Sequence, residues 1–205
     1  LDPSSSSATQ GETLDQLRAV IGAAHVTGMA VWVVLDTHEG AGLAVQPEWA
    51  SLAASSSPAP RRPDVAHPGY QEAVDAWAKA LAQTGCDGVV LRARGGEGFA
   101  REYSDGAWQR FATTFGISLA PARLLAGEVA AGSDEDSLYW RWVGWKARAY
   151  VALVSRIHAR LRDVNPTGRL VIEVHGTTMR QPLTGLEHYG EDVAELVQRT
   201  GAAIV

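Results

Sequence analysis

The stretch Cys86–Gly98, with the sequence CDGVVLRARGGEG, decides the fold of this chain. A helical segment ends at Gly85, and the short apolar run that follows is typical of a buried strand. This strand leads directly into two arginines, Arg92 and Arg94, and a glycine-rich loop. In α/β folds, ligands bind and chemistry takes place at the carboxyl ends of such strands. The stretch therefore predicts the functional edge of a parallel sheet.

Two other apolar strands end in polar residues in the same way. One is predicted from Met29 to Leu35, and the other from Leu170 to Gly176. The ionisable residues within or just after these two strands are Asp36, His38, Glu39, Glu173 and His175. Three consecutive strands thus bring ionisable groups to one edge, which is the strongest functional signal in the sequence.

The rest of the chain alternates helices with strands. Apolar residues recur at helical spacing within residues 13–27, 70–84, 104–116, 134–164 and 191–199. Residues 1–12, 40–66, 117–132 and 177–189 are rich in turn-forming residues and are predicted loops, of which 40–66 is the longest. The alternation predicts a parallel sheet with right-handed crossovers, in one α/β domain over residues 1–205.

Four parallel strands fit two architectures, a small doubly wound domain or part of an eight-stranded barrel. No glycine-rich phosphate fingerprint follows any strand, and the last strand, from Ala202 to Val205, coincides with the end of the sequence. We therefore expect a (β/α)8 TIM-barrel type, represented by its middle part with about four strands. The alternative is a flavodoxin-like regulatory domain, which a sheet with Val205 at an open edge would support.

Composition excludes several function classes. The formal net charge is -5 without a basic block, so we predict no nucleic-acid partner. No apolar run reaches the roughly 18 residues of a membrane span. The single cysteine, Cys86, excludes an internal disulfide and a thiolate metal cluster. No closely spaced histidine pair, phosphate loop or nucleophile elbow is present, so we predict neither a metal nor another cofactor.

Several segments together resemble those of one known family of barrels. Leu14–Leu35 is similar to a helix and the third strand of that family, and His67–Val74 (HPGYQEAV) to a later helix start. Cys86–Leu91 (CDGVVL) is similar to its "vDGi.f" strand, and Trp142–Pro166 to its long helix. On these segments, most of residues 13–176 resembles the bacterial glycosyl-hydrolase-like family 10 barrels and is also similar to the hydrolase domain of poly-glucosamine deacetylases.

The resemblance implies a (β/α)8 barrel that acts on a cell-surface or extracellular glycan, in a secreted or surface-attached protein. One departure concerns the chemistry, because the family strand ends in aspartates that carry the acid function and this chain has Arg92-Ala93-Arg94. Three explanations stay open. Another carboxylate has taken over, the chain binds glycans without cutting them, or its substrate has changed.

Strand alternation indicates which side chains share a face. If Asp36, Arg92 and Glu173 point into one cavity mouth, two carboxylates are available for the acid and base roles of glycoside hydrolysis. Glu173 and Asp36 are the predicted catalytic acids, and the predicted substrate-binding residues at the edge are Arg92, Arg94, His38 and His175. The structural alternative is that Glu173, Asp36 and Arg92 form a buried ion-pair network. Glu97 and Glu102 could supply a replacement acid or be ordinary solvated loop charges.

Three aromatic residues lie at the start of the long helix. Tyr139, Trp140 and Trp142 cannot all face one core, and Trp142 belongs to the predicted buried stripe. Tyr139 or Trp140 is therefore available to stack on a sugar ring, with Trp49 and Trp108 as further candidates; packing under loops is the alternative.

The predicted function is that of a glycoside-hydrolase-like domain that acts on a polysaccharide by carboxylate chemistry. The alternative is a non-catalytic carbohydrate-binding pseudoenzyme that has lost the strand-end aspartate.

Overall fold

The structure is a computed structural model that describes residues 3–37, 43, 45–53, 62–92, 98–125 and 132–205. Residues 3–10 and 53 are described by their backbone only. The strands are β1 (Trp32–Asp36), β2 (Leu52–Ala53), β3 (Gly88–Arg92), β4 (Glu102–Tyr103), β5 (Arg169–Glu173) and β6 (Ala203–Ile204). The helices are α1 (Pro3–Val26), α2 (Pro68–Ala82), α3 (Asp105–Phe115), α4 (Pro121–Leu125), α5 (Asp134–Val164), α6 (Gly176–Arg180), α7 (Pro182–Tyr189) and α8 (Val193–Thr200).

The main sheet has four strands in the order β1-β3-β5-β6, and every pair is parallel. Neighbours in this sheet follow one another along the chain, apart from the short strands β2 and β4, which form an antiparallel pair of their own. The predicted parallel α/β architecture is confirmed. The order lacks the reversal that creates the switch point of a doubly wound sheet.

The two faces of the main sheet differ in burial. Leu35, Leu91 and Ile172 are 4% exposed or less and pack in a core with side chains of α1, α2, α5 and α8. The alternate residues on the other face are more open, and Val34 is 48% exposed. An apolar face with this exposure is unusual, because parallel sheets are normally covered on both sides.

A second core lies at the start of α5, beneath α3 and α4. Its centre is a group of aromatic rings, in which Trp142 packs edge-on against Trp108 and Phe111 at centroid distances of 5.3 and 5.1 Å. The Ser104 hydroxyl accepts a hydrogen bond from Ala107 N and caps α3, as the sequence predicts. Gly116 ends α3 in the left-handed conformation at φ 65°.

Three predicted loops contain helices. Residues 3–12 belong to α1, which therefore begins before the predicted helix start at residue 13. Residues 177–189 fall in α6 and α7, and residues 117–132 contain α4. Proline occupies the first turn of α1, α4 and α7, where its missing N–H costs no intrahelical hydrogen bond. These prolines mark helix starts, and the prediction of loops over these residues was wrong.

The last strand, β6, lies at an edge of the sheet. This edge position was the observation expected to support a flavodoxin-like domain, but a segment of a barrel leaves its last strand at an edge as well. The sequential strand order separates the two architectures better than the edge position does. None of the described helices combines the length and the apolar character needed to cross a membrane.

Candidate functional site

Asp36, Arg92 and Glu173 form one row at the carboxyl edge of the main sheet. Asp36 is in register with Arg92, and Arg92 with Glu173, on the neighbouring strands β1, β3 and β5. Strands lie about 4.8 Å apart, so the Cα atoms of Asp36 and Glu173 are roughly 10 Å apart with Arg92 between them. The predicted convergence of these three strand ends is confirmed. We call these three residues the edge row.

The edge row lies on the more open face of the sheet, in the same alternation as Val34, Val90 and Val171. Arg92 Nε is 3.9 Å from Glu173 Oε2, and the two side chains are 27% and 39% exposed. Arg92 Nε makes no hydrogen bond within the described residues. Because both side chains are partly exposed, the pair is not the fully buried network of the structural alternative.

His175 is held in a defined orientation just beyond β5. Its Nδ1 accepts a hydrogen bond from Thr177 N at 3.2 Å and caps α6, and its ring stacks on Tyr189 at 4.2 Å between centroids. Because Nδ1 is the acceptor, the proton of the neutral ring lies on Nε2. The exposed imidazole can thus present one N–H donor to a ligand.

Glu191 stabilises the segment around His175 and is not among the residues predicted from the sequence. It is 3% exposed, and its carboxylate accepts hydrogen bonds from His175 N and the Thr178 hydroxyl. Burial raises the pKa of Glu191, while the two hydrogen bonds oppose this shift. The carboxylate joins the start of α6 to the residues before α8, which positions His175. The local sequence signal for this positioning role of Glu191 is that it directly follows Gly190, the left-handed residue that ends α7.

Tyr139 and Trp140 have different environments although they are adjacent. Tyr139 is 6% exposed, and its hydroxyl donates a 2.6 Å hydrogen bond to Glu187 Oε1. Burial and the neighbouring carboxylate raise the pKa of Tyr139. Trp140 is 37% exposed, with its ring 5.8 Å from that of Tyr139. Trp140 is therefore the aromatic surface open to a ligand, and Tyr139 is a packed residue that joins α5 to α7.

The other predicted candidates fall outside this open edge. Trp108 is buried in the aromatic core, and Trp49 is half-buried with its ring 5.9 Å from Tyr70. Glu102 lies on β4, where its carbonyl oxygen accepts a hydrogen bond from Lys146 Nζ. His38, Arg94, Glu39 and Glu97 lie outside the described residues.

A buried ion pair lies under the loops on this side of the molecule. Lys146 is 2% exposed and donates to the carbonyl oxygens of Phe99 and Glu102 at 2.6 and 2.7 Å. Its Nζ is 3.7 Å from Asp64 Oδ1, and Asp64 also accepts hydrogen bonds from Ala66 N and Ser104 N. Burial lowers the pKa of Lys146, and the Asp64 carboxylate opposes that shift. We call Asp64 and Lys146 the buried pair.

The described residues contain no group of three histidine, cysteine, aspartate or glutamate side chains arranged to hold a metal ion. No protein-family model matches this sequence, and no curated protein sequence matches it.

Proposed function

We propose that this chain is a glycoside-hydrolase-like α/β domain that binds and cleaves a polysaccharide at the edge row. The observation that carries the proposal is the register that sets Asp36 and Glu173 on either side of Arg92, at the carboxyl ends of three adjacent parallel strands. This is the edge at which parallel α/β folds place their chemistry.

We further propose that the main sheet is a segment of a (β/α)8 barrel. The sequential strand order and the position of the core helices against one face support this assignment. The open face beyond Trp32, with Val34 at 48% exposure, would then be the inner surface of the barrel. An eight-stranded barrel has an interior that side chains fill, so further strands would cover Val34, while Trp32, the first residue of β1, would lie at the amino-terminal mouth of the barrel.

The edge row provides the groups that glycoside hydrolysis requires. One carboxylic acid protonates the glycosidic oxygen, and a second carboxylate acts as nucleophile or activates a water molecule. In our proposal Asp36 and Glu173 take these two roles, because they flank a space about two strand spacings wide, roughly 10 Å between Cα atoms. Arg92 and the Nε2 hydrogen of His175 would hold hydroxyl or anionic groups of the sugar.

We propose Trp140, at the start of α5, as a further contact for the glycan. Its exposed ring offers a flat apolar face, which suits the apolar face of a pyranose ring. The glycan is proposed to be a cell-surface or extracellular polysaccharide, and this part of the proposal rests on the resemblance of residues 13–176 to the glycosyl-hydrolase-like family 10.

A non-catalytic carbohydrate-binding function is the second candidate. Arg92 favours it, since this residue lies between Asp36 and Glu173 in the strand register and its Nε is 3.9 Å from Glu173 Oε2. A carboxylate engaged in this way can bind sugar hydroxyls without taking part in proton transfer.

Hydrolysis of a panel of soluble polysaccharides and oligosaccharides, including amino-sugar polymers, tests the proposal. We expect reducing ends to appear with the natural sequence and to be lost by a factor of about 100 or more in Glu173→Gln and Asp36→Asn, as for removal of a general acid or base. Glu195→Gln is the matched control, because Glu195 pairs with Arg199 on α8.

Calorimetric titration with the same glycans separates the two candidates. Binding without turnover, weakened by Arg92→Gln, would establish the carbohydrate-binding function. Turnover that is unchanged in both carboxylate variants, or the absence of both binding and turnover across the panel, would overturn the proposal for the edge row.

A further inference from the structure

A cavity of about 590 Å³ lies at the opposite, amino-terminal end of the main sheet. Its walls come from β1, β5 and β6, from the end of α5, and from the loops that precede β5 and β6. Its polar and aromatic side chains include Trp32, His158, Arg162 and Arg169.

Trp32 forms one wall because its neighbour in the sheet has no side chain. Trp32 is in register with Gly88, and a Cβ atom at Gly88 would lie 2.5 Å from the Trp32 ring and 2.8 Å from the Arg169 carbonyl oxygen. The indole therefore lies across β3 toward β5. It gives the cavity an aromatic surface beside Leu170 and Val171.

The charge of the cavity is positive, in contrast to the net charge of -5 for the chain. Arg162 and Arg169 line it, and no carboxylate belongs to its lining. Among the described residues, neither arginine has an ion-pair partner, whereas Arg160 on the same helix pairs with Asp75 at 3.1 Å. Burial and the nearby Arg162 lower the pKa of His158, so the positive charge is that of the two guanidinium groups.

Several donors around the cavity are already used. Gly168 N donates to Asn165 O, Gly201 N to Val197 O, and the Thr200 hydroxyl to Leu196 O. The side-chain donors that line the cavity and can bind a ligand include the two guanidinium groups, the His158 ring and the Trp32 indole. These groups and the indole suit a ligand with an anionic head and an apolar or aromatic body.

We propose that this cavity binds a small molecule that carries a phosphate-type oxyanion on an aromatic or apolar body, with Arg162 and Arg169 on the oxyanion and Trp32 against the body. Guanidinium groups bind phosphate oxygens in a bidentate manner, and each such charged hydrogen bond contributes strongly in a partly enclosed site. The site is independent of the edge row, which lies at the other end of the same strands.

Titration of the protein with phenyl phosphate, inorganic phosphate and phenol tests this proposal. The indole N–H signal of Trp32, assigned with Trp32→Phe, follows occupancy by NMR, and calorimetry gives the dissociation constants. We expect phenyl phosphate to bind most tightly. The double variant Arg162→Gln/Arg169→Gln should weaken it by about tenfold or more, on the scale of lost charged hydrogen bonds.

Two further variants make the result specific. Arg160→Gln removes one positive charge from α5 outside the cavity lining and should leave the affinity unchanged. Trp32→Phe should weaken phenyl phosphate and leave the affinity for inorganic phosphate unchanged. No binding of phenyl phosphate, equal weakening by Arg160→Gln, or binding that survives the double variant would each overturn the proposal. Both arginines are exposed and without ion-pair partners, so the double variant is expected to fold, which circular dichroism checks.

Discussion

The buried pair and the edge row contain the same kinds of charged group in opposite environments. Lys146 and Asp64 are 2% and 1% exposed, and their side chains form hydrogen bonds with backbone groups. In the edge row, the Arg92 and Glu173 side chains are 27% and 39% exposed, and Arg92 Nε lies 3.9 Å from Glu173 Oε2. One set of charges is buried in the fold, and the other is partly exposed at the edge of the sheet.

The difference indicates which charges the fold depends on. Removing one partner of a buried ion pair costs about 3–5 kcal/mol, because the remaining charge is left uncompensated, whereas an exposed pair contributes about 0–1 kcal/mol. The buried pair joins three segments, namely the residues around Asp64, the Phe99–Ser104 segment and α5. The edge row joins strand ends that the sheet already holds in register. The fold is therefore expected to depend more on the buried pair than on the edge row.

Lys146→Met is expected to have the largest effect on stability. Methionine keeps the apolar volume but leaves Asp64 uncompensated and the carbonyl oxygens of Phe99 and Glu102 without a donor. We expect a loss of about 3–5 kcal/mol in the free energy of unfolding, measured by urea denaturation. The double variant Asp64→Asn/Lys146→Met should be less destabilised than the sum of the single variants, since the two groups are coupled. Additive effects would show that the pair does not act as a unit.

His67 makes the same region sensitive to pH. Its backbone N–H donates to Asp64 O, and its Nδ1 accepts from Gly69 N as the cap of α2. Burial lowers the pKa of His67 below 6.5, so the unfolded chain takes up a proton first as the pH falls. The stability that this group contributes is present above pH 6.5 and is lost below it. On protonation the cap acceptor is lost as well, at a cost of about 1 kcal/mol.

His67→Asn tests this pH effect, since asparagine also caps helices and does not titrate. The free energy of unfolding of the natural sequence should fall more steeply than that of His67→Asn between pH 7 and pH 5. Parallel pH profiles for the two proteins would contradict the assignment to His67.

Much of the edge row could be predicted from the sequence, because it follows from short-range patterns. The apolar runs before Asp36 and Arg92 and around Glu173 predict strands, and strictly alternating helices predict parallel neighbours. The burial of both faces that such runs predict is wrong for one face, on which Val34 is 48% exposed. The strands observed, Trp32–Asp36, Gly88–Arg92 and Arg169–Glu173, end at these residues. Short-range sequence patterns therefore predict both the sheet and the residues at its edge.

The buried pair could not be predicted in this way. Asp64 lies in a segment without helical or strand periodicity, and Lys146 lies far along the chain on α5. In the structure the buried face of α5 includes Tyr139, Trp142 and Lys146. A lysine on a buried face is read as exposed unless its partner is known, and the partner depends on tertiary packing.

Glu173→Gln and Asp36→Asn test whether the edge row contributes little to stability, in contrast to the buried pair. Each should change the free energy of unfolding by less than about 1 kcal/mol, in line with exposed ion pairs, while the binding or turnover of the glycan is lost. Urea denaturation of both variants and of Lys146→Met compares the free energies of unfolding that the edge row and the buried pair contribute. A loss of 3 kcal/mol or more, the range of a buried pair, would mean that Glu173 is structural and that the edge row is not a site.

Trp140 should have the smallest effect on stability of all, and its neighbour supplies the control. Trp140→Ala removes a ring that is 37% exposed, so we expect a change within about 0.5 kcal/mol, as for surface positions. Tyr139→Phe removes the hydroxyl that binds Glu187 and should cost about 1 kcal/mol, the usual contribution of one hydrogen bond.

Glycan affinity should show the reverse order. Loss of a stacking ring should weaken binding by roughly 2- to 10-fold in Trp140→Ala, and the affinity of Tyr139→Phe should be unchanged. If Tyr139→Phe weakened binding and Trp140→Ala did not, the ligand would have to bind beside Glu187, and the exposed indole would not contact it.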